Sequence, residues 1–499
     1  MQGKKTYQEK LFVNFQLSDY VPADNFYRRL KEQLDLRFIY PLTAEYYGTE
    51  GQKSIDPVVF MKLMLVGYLE NLNSDRRIIS ASRLRMDILY FIGYDLGEEL
   101  PWHSTVSRTR QLYGEHVFTA VFKRVLKQCI DKGMISGRRQ AVDGFFIKAN
   151  ASLDSMVEKE ILEDATTFGR ELKANEDEDK ESPVLKLKEK QGCDDKGLKL
   201  ESNPGNDTHY SPSDPDAKMS VKPGKPTALN YLGQVSVDTA SHMITCAKVF
   251  LADKRDSQCL PAVLTYLTSN LKENDIAIQE VIADTNYSSG TALKTLQAIG
   301  ITAYIPNTGR FKFEREGFIY HSEDDYYECR NGKALTFSGI SENDKRYVIA
   351  GKHCQGCPFK NICIGDKKYM AIKTTIDKPY YDQMHLRMQT KKAARLMKKR
   401  QSTVEPVIGT LVNYLGIKKV NSKGLDQANK CLNIAATAYN LKKLLKYKPR
   451  TIKSDLQELN KASKLLNKVI SKADKLILSD NNYLSRLFDI FTKHPVINF

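Results

Sequence analysis

The spacing of apolar positions changes several times along the chain. Between about residues 20 and 135 they recur at intervals of three and four, the helical period. The stretch "DPVVFMKLMLVGYLENL" opens with Asp56 as an N-cap and Pro57 at the first helical position. It sets Phe60, Leu63, Met64 and Gly67 on one face. Further on, "PWHSTVSRTRQLYG" predicts a short helix, capped by Ser104, that carries Arg108 and Arg110 outward. Short helices ending in a basic one suggest an all-α, helix-turn-helix-like module that reads DNA. A dimerisation bundle whose arginines face solvent has the same periodicity.

At "RQAVDGFFIKANAS" the pattern becomes that of a strand entering a core, with Asp143 in its middle and Lys148 at its far end. Charges rarely enter a core unless paired or metal-bound, so Asp143 is either a working carboxylate or a turn acid ahead of Gly144. The chain from 155 to 210 is then charged and short of aromatics, a solvated excursion. Order returns in "LNYLGQVSVDTASHMITCAKVFLA", two apolar runs parted by "DTASH", which predicts a β-hairpin. In "DIAIQEVIADTNYSSGTALKTLQAIG" a strand over about Glu280 to Ala283 ends at Asp284. Ser288 or Ser289 then caps a helix bearing Leu293 and Leu296. An acid at the carboxyl end of a strand is where α/β sheets place working residues; a plain strand-end acid is the other reading. Near the end, "KKAARLMKKRQSTVEPVIGTL" holds Glu405 before Pro406, which predicts that Glu405 begins a helix. "CLNIAATAYNLKKLL" continues with Leu432, Ala435, Ala436 and Tyr439 on one face. A Lys-rich amphipathic helical tail follows from about 450.

A length of 499 residues implies two to four units. The pattern divides the chain into a helical region (1–135), a first α/β segment (136–310) and a cysteine-rich insertion with a basic connector (311–395). The helical end of the α/β part (396–447) and the tail (448–499) complete it. With 76 Lys+Arg against 60 Asp+Glu the formal charge is +16, which favours a polyanionic partner such as nucleic acid. No apolar run is long enough for a membrane span, and the start lacks a signal peptide's apolar stretch, so a cytosolic protein is expected. Four of nine cysteines lie close together, at Cys329, Cys354, Cys357 and Cys363. Four thiolates suit a structural Zn²⁺; thiols packing a small insertion are the alternative.

Asp143, Asp284 and Glu405, if brought together, would repel one another unless a cation sat between them. Hard oxygen ligands suit Mg²⁺ or Mn²⁺, and two such ions serve phosphodiester chemistry.

"AVDGFFIKANAS", "VIADTNYSSG" and "RQSTVEPVIGTL" resemble the three signature blocks of bacterial insertion-sequence transposases of the DDE type. "HYSPSDPDAKM" and "ATAYNLKKL" extend the likeness, as does the cysteine-bearing insertion of one subgroup. The resemblance covers roughly residues 20 to 447. It implies an α/β fold: an RNase H-like mixed-sheet core with an N-terminal helical DNA-binding region. It implies metal-dependent cleavage and strand transfer at an element bounded by terminal inverted repeats. The partners are double-stranded DNA at those repeats and at the target, a second copy of the chain in the DNA complex, and no membrane. The place implied is the bacterial cytoplasm, at the nucleoid. Carried over by residue, the acids are Asp143, Asp284 and Glu405, with Arg400 as a phosphate clamp. Beside these, Lys148, Arg108 and Arg110 are expected as further DNA contacts. Met397 stands where a tyrosine is usual and Val412 where a lysine is, although Lys418 and Lys419 follow. Two alternatives stay open: a metal-dependent nuclease of the same core, and a transposase-derived DNA-binding protein without catalysis.

Overall fold

A computed structural model describes residues 15–48, 50, 54–72, 74–159, 205–221, 226–309 and 311–448. Most of the charged excursion and nearly all of the Lys-rich tail lie outside the described residues. Up to residue 131 the described chain is mainly helical: α1 (Phe26–Gln33), α2 (Pro57–Leu69), α3 (Asp75–Leu84), α4 (Met86–Ile92), α5 (His103–Leu112) and α6 (Glu115–Asp131). The Asp56 side chain accepts hydrogen bonds from the amides of Val58 and Val59 and starts α2. α2 is buried around most of its circumference, Met61 and Leu65 included, rather than on one face. Gly67 sits where Ile78 of α3 rests: an added Cβ would lie 2.6 Å from Ile78 Cδ1.

α5 differs from expectation in two ways. Its N-cap is Trp102, and Ser104 lies inside the first turn. Arg108 is exposed, but Arg110 is not turned outward with it. Residues two apart on a helix face about 200° apart, so the pair cannot share a surface. Arg110 instead forms an ion pair with Asp75 of α3, both side chains largely buried.

The strand carrying Asp143, β1 (Arg139–Lys148), passes through that acid without turning. Its partners on antiparallel β2 (Ala228–Asp238) run unbroken from Gln140 opposite Asp238 to Lys148 opposite Asn230. β2 folds back into β3 (Ile244–Leu251), the predicted hairpin. α7 (Asp256–Lys272) then leads to β4 (Glu280–Ile282), which pairs parallel with β1. α8 (Gly290–Ala298) follows, capped by Ser289, and leads to β5 (Thr302–Tyr304), parallel with β4. The order is therefore β3-β2-β1-β4-β5, three antiparallel strands and then two parallel ones, which is an RNase H-like core. β2 is buried at ten successive positions, so both sheet faces are covered.

The cysteine-rich insertion leaves the core after β5. It folds as a separate antiparallel sheet of β6 (Phe318–His321), β7 (Tyr326–Cys329), β8 (Ala334–Ser341), β9 (Asp344–Ala350) and β10 (Tyr369–Thr375), each beside the next. Tyr327, Leu335, Tyr347, Ile349 and Ile372 form its small core. α9 (Lys378–Met388) and α10 (Lys391–Tyr414) return the chain to the main sheet, where α10 packs over β1, β2, β4 and β5. Beyond α10 the backbone lies beside the end of β1: Lys148 N donates to Lys418 O (3.1 Å) and Val420 N to Lys148 O (3.0 Å).

The last element, α11 (Leu425–Lys446), seals the sheet's edge. Buried Asn440 accepts from Ile244 N (3.0 Å) and donates to Ile244 O (2.8 Å). Asn429 does the same for Val249, at 2.8 and 3.4 Å. Eleven residues of helix and five of strand each span about 16 Å, so two amides on one helix face match two open positions of β3. The helical region and core are tied by Lys248–Glu115 (2.7 Å) and by Lys430 Nζ on Arg110 O (3.1 Å). Met1–Leu445 accordingly forms one unit and Lys446–Phe499 a second. Among the described residues no helix is long and apolar enough to cross a membrane.

Candidate active site

Asp143 lies mid-strand because Gly144 beside it lets other polar groups approach. A Cβ on Gly144 would stand 2.6 Å from both Asp256 Oδ1 and Gln234 Nε2. Gln234 donates to Asp256 (2.5 Å), and the buried Tyr287 hydroxyl donates to Gln234 Oε1. One carboxylate oxygen of Asp143 accepts from Gly144 N (2.9 Å). The other meets Arg400 Nη2 at 2.9 Å, and the same guanidinium nitrogen stands 3.8 Å from Asp284 Oδ2. Asp284 ends the β4 segment, where its side chain accepts from Asn286 N (3.0 Å) and caps the turn Thr285–Tyr287.

Arg400 comes from α10 and is 8% exposed; its Nε is buried without a partner among the described residues. Burial pushes the Asp143 carboxyl up to about 6; Arg400 pulls it down, and the charges of Asp284 and Asp256 raise it further. A folded-state value above the ordinary one means that stability falls as pH rises from about 4 through about 6. Asp143→Asn should therefore gain on the order of 3 kcal/mol relative to the native chain between those limits. Urea unfolding at several pH values measures this, and a difference independent of pH would contradict it.

Glu405 is placed differently from Asp143 and Asp284. α10 does not begin there but runs on through Pro406. The carbonyl that loses its helical partner to the proline is that of Ser402, and both residues are exposed, so water can serve it. Glu405 follows Arg400 by five residues, about 140° round the helix, and it is exposed. A different acid, Asp256 at the start of α7, lies near enough for its charge to raise the Asp143 carboxyl. The sequence reading missed Asp256, Gln234 and Tyr287. Gln234 had a signal, as a lone amide in the apolar run "YLGQVSV". Lys148 is exposed at the end of β1, away from this cluster.

The chemistry of the site suits a small divalent cation. Its donors are hard oxygens, and a guanidinium already bridges Asp143 and Asp284 where a metal's charge would serve. Among the described residues, however, no three His, Cys, Asp or Glu side chains converge as a complete ligand set. The same holds of the cysteines, although Cys329, Cys354, Cys357 and Cys363 line one small recess under Phe318 and Phe359. Burial raises the Cys354 thiol, and the three neighbouring sulfurs add to the effect.

Two family models match the chain: a transposase domain (DUF772) over residues 15–112, and a transposase DDE domain over residues 328–445. The first spans α1 to α5; the second spans the four cysteines, Arg400 and Glu405, while Asp143 and Asp284 lie outside both. No curated protein matches. Among solved structures, a piggyBac transposase synaptic complex with hairpin DNA is similar at 9% identity and a TM-score of 0.32, over 95% of this chain and 86% of that one. A Mos1 transposase paired-end complex with the left transposon end is similar at 9% identity and a TM-score of 0.16, over 55% and 70%. Models of a transposase domain and of a transposase DDE domain thus match on either side of an RNase H-like sheet, and in those two stretches the chain is similar to the DDE transposases.

Proposed function

We propose that this chain cleaves DNA at the terminal inverted repeats of its insertion sequence and joins the freed ends to a target. The observation that carries this is the delivery of Asp143 and Asp284, from adjacent parallel strands, to one partly buried spot bridged by Arg400. Asp143 and Asp284 would hold Mg²⁺ or Mn²⁺, with Glu405 completing the set when DNA is bound. The metal would supply activation of a water or 3′-hydroxyl and charge neutralisation at the phosphodiester. Arg400 neutralises the two acids before metal arrives and then turns a charge-assisted donor towards the phosphate. Gln234, oriented by Tyr287, keeps Asp256 against Gly144 and so fixes the wall beside Asp143. Arg108 and Lys148 contact DNA away from the cut, and two copies of the chain hold the two ends.

The test is incubation with a supercoiled plasmid carrying the element's ends and Mg²⁺. Excised and joined products are expected; nicked plasmid alone, without joining, would make the protein a nuclease instead.

Zinc belongs to the same reading. Cys329, Cys354, Cys357 and Cys363 fit as thiolate donors because they share one recess, and a metal there would tie β7 to the turn after β9. Elemental analysis should give about one zinc per chain, lost in Cys354→Ser with Cys357→Ser. A metal-free wild type that is fully stable contradicts this.

A further inference from the structure

A cavity of about 580 Å³ lies between the helical region and the core, and Asp143 is not among its lining residues. Its floor is apolar, formed by Met64, Gly67, Leu72 and Ile78. Arg76 of α3 and Lys419 and Lys423 of the connection before α11 stand exposed around it. None of these three forms an ion pair with a described residue, and the one carboxylate in the lining, Asp75, is already engaged by Arg110. Three uncompensated like charges around one recess repel one another until an anion enters. Two buried polar atoms of the lining, His103 Nδ1 and Gln427 Oε1, also have no partner among the described residues. The cavity exceeds what a lone phosphate needs, and its apolar floor suits the sugar that a strand of nucleic acid would bring.

We propose that this recess seats the sugar-phosphate backbone of bound DNA, gripped by Lys419, Lys423 and Arg76. This rests on the DNA-cleaving function proposed above and adds where the duplex is held. The backbone of Lys419 is bridged to Lys148, five residues along β1 from Asp143. That is about 17 Å along a strand, and at 3.4 Å per nucleotide it corresponds to about five base pairs. For a duplex lying along β1, the phosphates seated here would be about five base pairs from the one that is cut.

The test is Lys419→Gln with Lys423→Gln in the full chain, titrated with a short duplex of scrambled sequence over a series of NaCl concentrations. The slope of log affinity against log salt should fall by about two, and affinity at low salt by about tenfold for each lysine. Lys419→Arg with Lys423→Arg should restore both, which separates charge from folding. Ethylation of single phosphates on an end duplex should interfere with wild-type binding about five base pairs from the cut, and not with the glutamine variant. An unchanged salt slope in a variant that melts like wild type overturns the proposal, as does interference confined to the cut. Cleavage by Asp143→Asn, in contrast, would overturn the catalytic reading and leave this one standing.

Discussion

Asp143→Asn and Asp284→Asn should each slow Mg²⁺-dependent cleavage of element ends by about a thousandfold or more, on the order of 4 kcal/mol of transition-state stabilisation. Each change keeps the shape of the side chain and removes the charge that a metal needs. Neither should harm the fold: Asp143 is held at a cost, as its raised carboxyl shows, and Asp284 keeps an oxygen to cap its turn. Binding to DNA should persist or tighten, because Arg400 would be freed from an acid that competes with phosphate. Glu405→Gln belongs to the same experiment and asks more of the protein. The side chain is exposed and turned away from Arg400, so its participation requires α10 to shift at Pro406, where one backbone hydrogen bond is already missing. An equal loss of cleavage is expected. If Glu405→Gln cuts DNA normally, the third ligand lies elsewhere, and Asp256 is the carboxylate whose charge Asp143 already feels.

Arg110→Ala should lower stability by about 3 kcal/mol, since it strands Asp75 in a largely buried position. Replacing both partners, Arg110→Met with Asp75→Leu, should recover most of that loss, because the pair's own net worth is small. Arg108→Ala, two residues away and exposed, should leave stability within about 0.5 kcal/mol. It should instead narrow the preference for end DNA over scrambled DNA by about tenfold, the scale of one base contact. Urea midpoints and paired binding titrations measure both quantities. A stable Arg110→Ala that discriminates poorly would reverse the two roles.

These arginines show what the sequence could and could not disclose. Periodicity located α5 and the strands that lead to Asp143 and Asp284, whereas the RNase H-like sheet was legible only through the resemblance of their motifs. Which side of α5 meets α3 shows in the Arg110–Asp75 pair, and the pattern of neither segment names its neighbour. Asp-Gly at 143–144 carries a turn signal, yet the strand passes straight through, because the glycine makes room for Asp256 and Gln234 from elsewhere in the chain. Glu405 was placed at a helix start by a local rule for the residue before proline. Tertiary packing of Val404, Val407 and Leu411 on the sheet overrides that rule.

The asparagines of α11 make the core dependent on its own ending. Ile244 and Asn440 are 196 residues apart, and Val249 and Asn429 are 180 apart. A chain emerging from the ribosome exposes β3's open edge until α11 has been made, and an unpaired edge is a template for joining other strands. Any product that stops before residue 429 should therefore collect as aggregate rather than as a partly working enzyme. Synthesis itself then acts as a timer: DNA-cutting competence should arise in one late step, when the finished helix closes the sheet, and not gradually as the polypeptide lengthens.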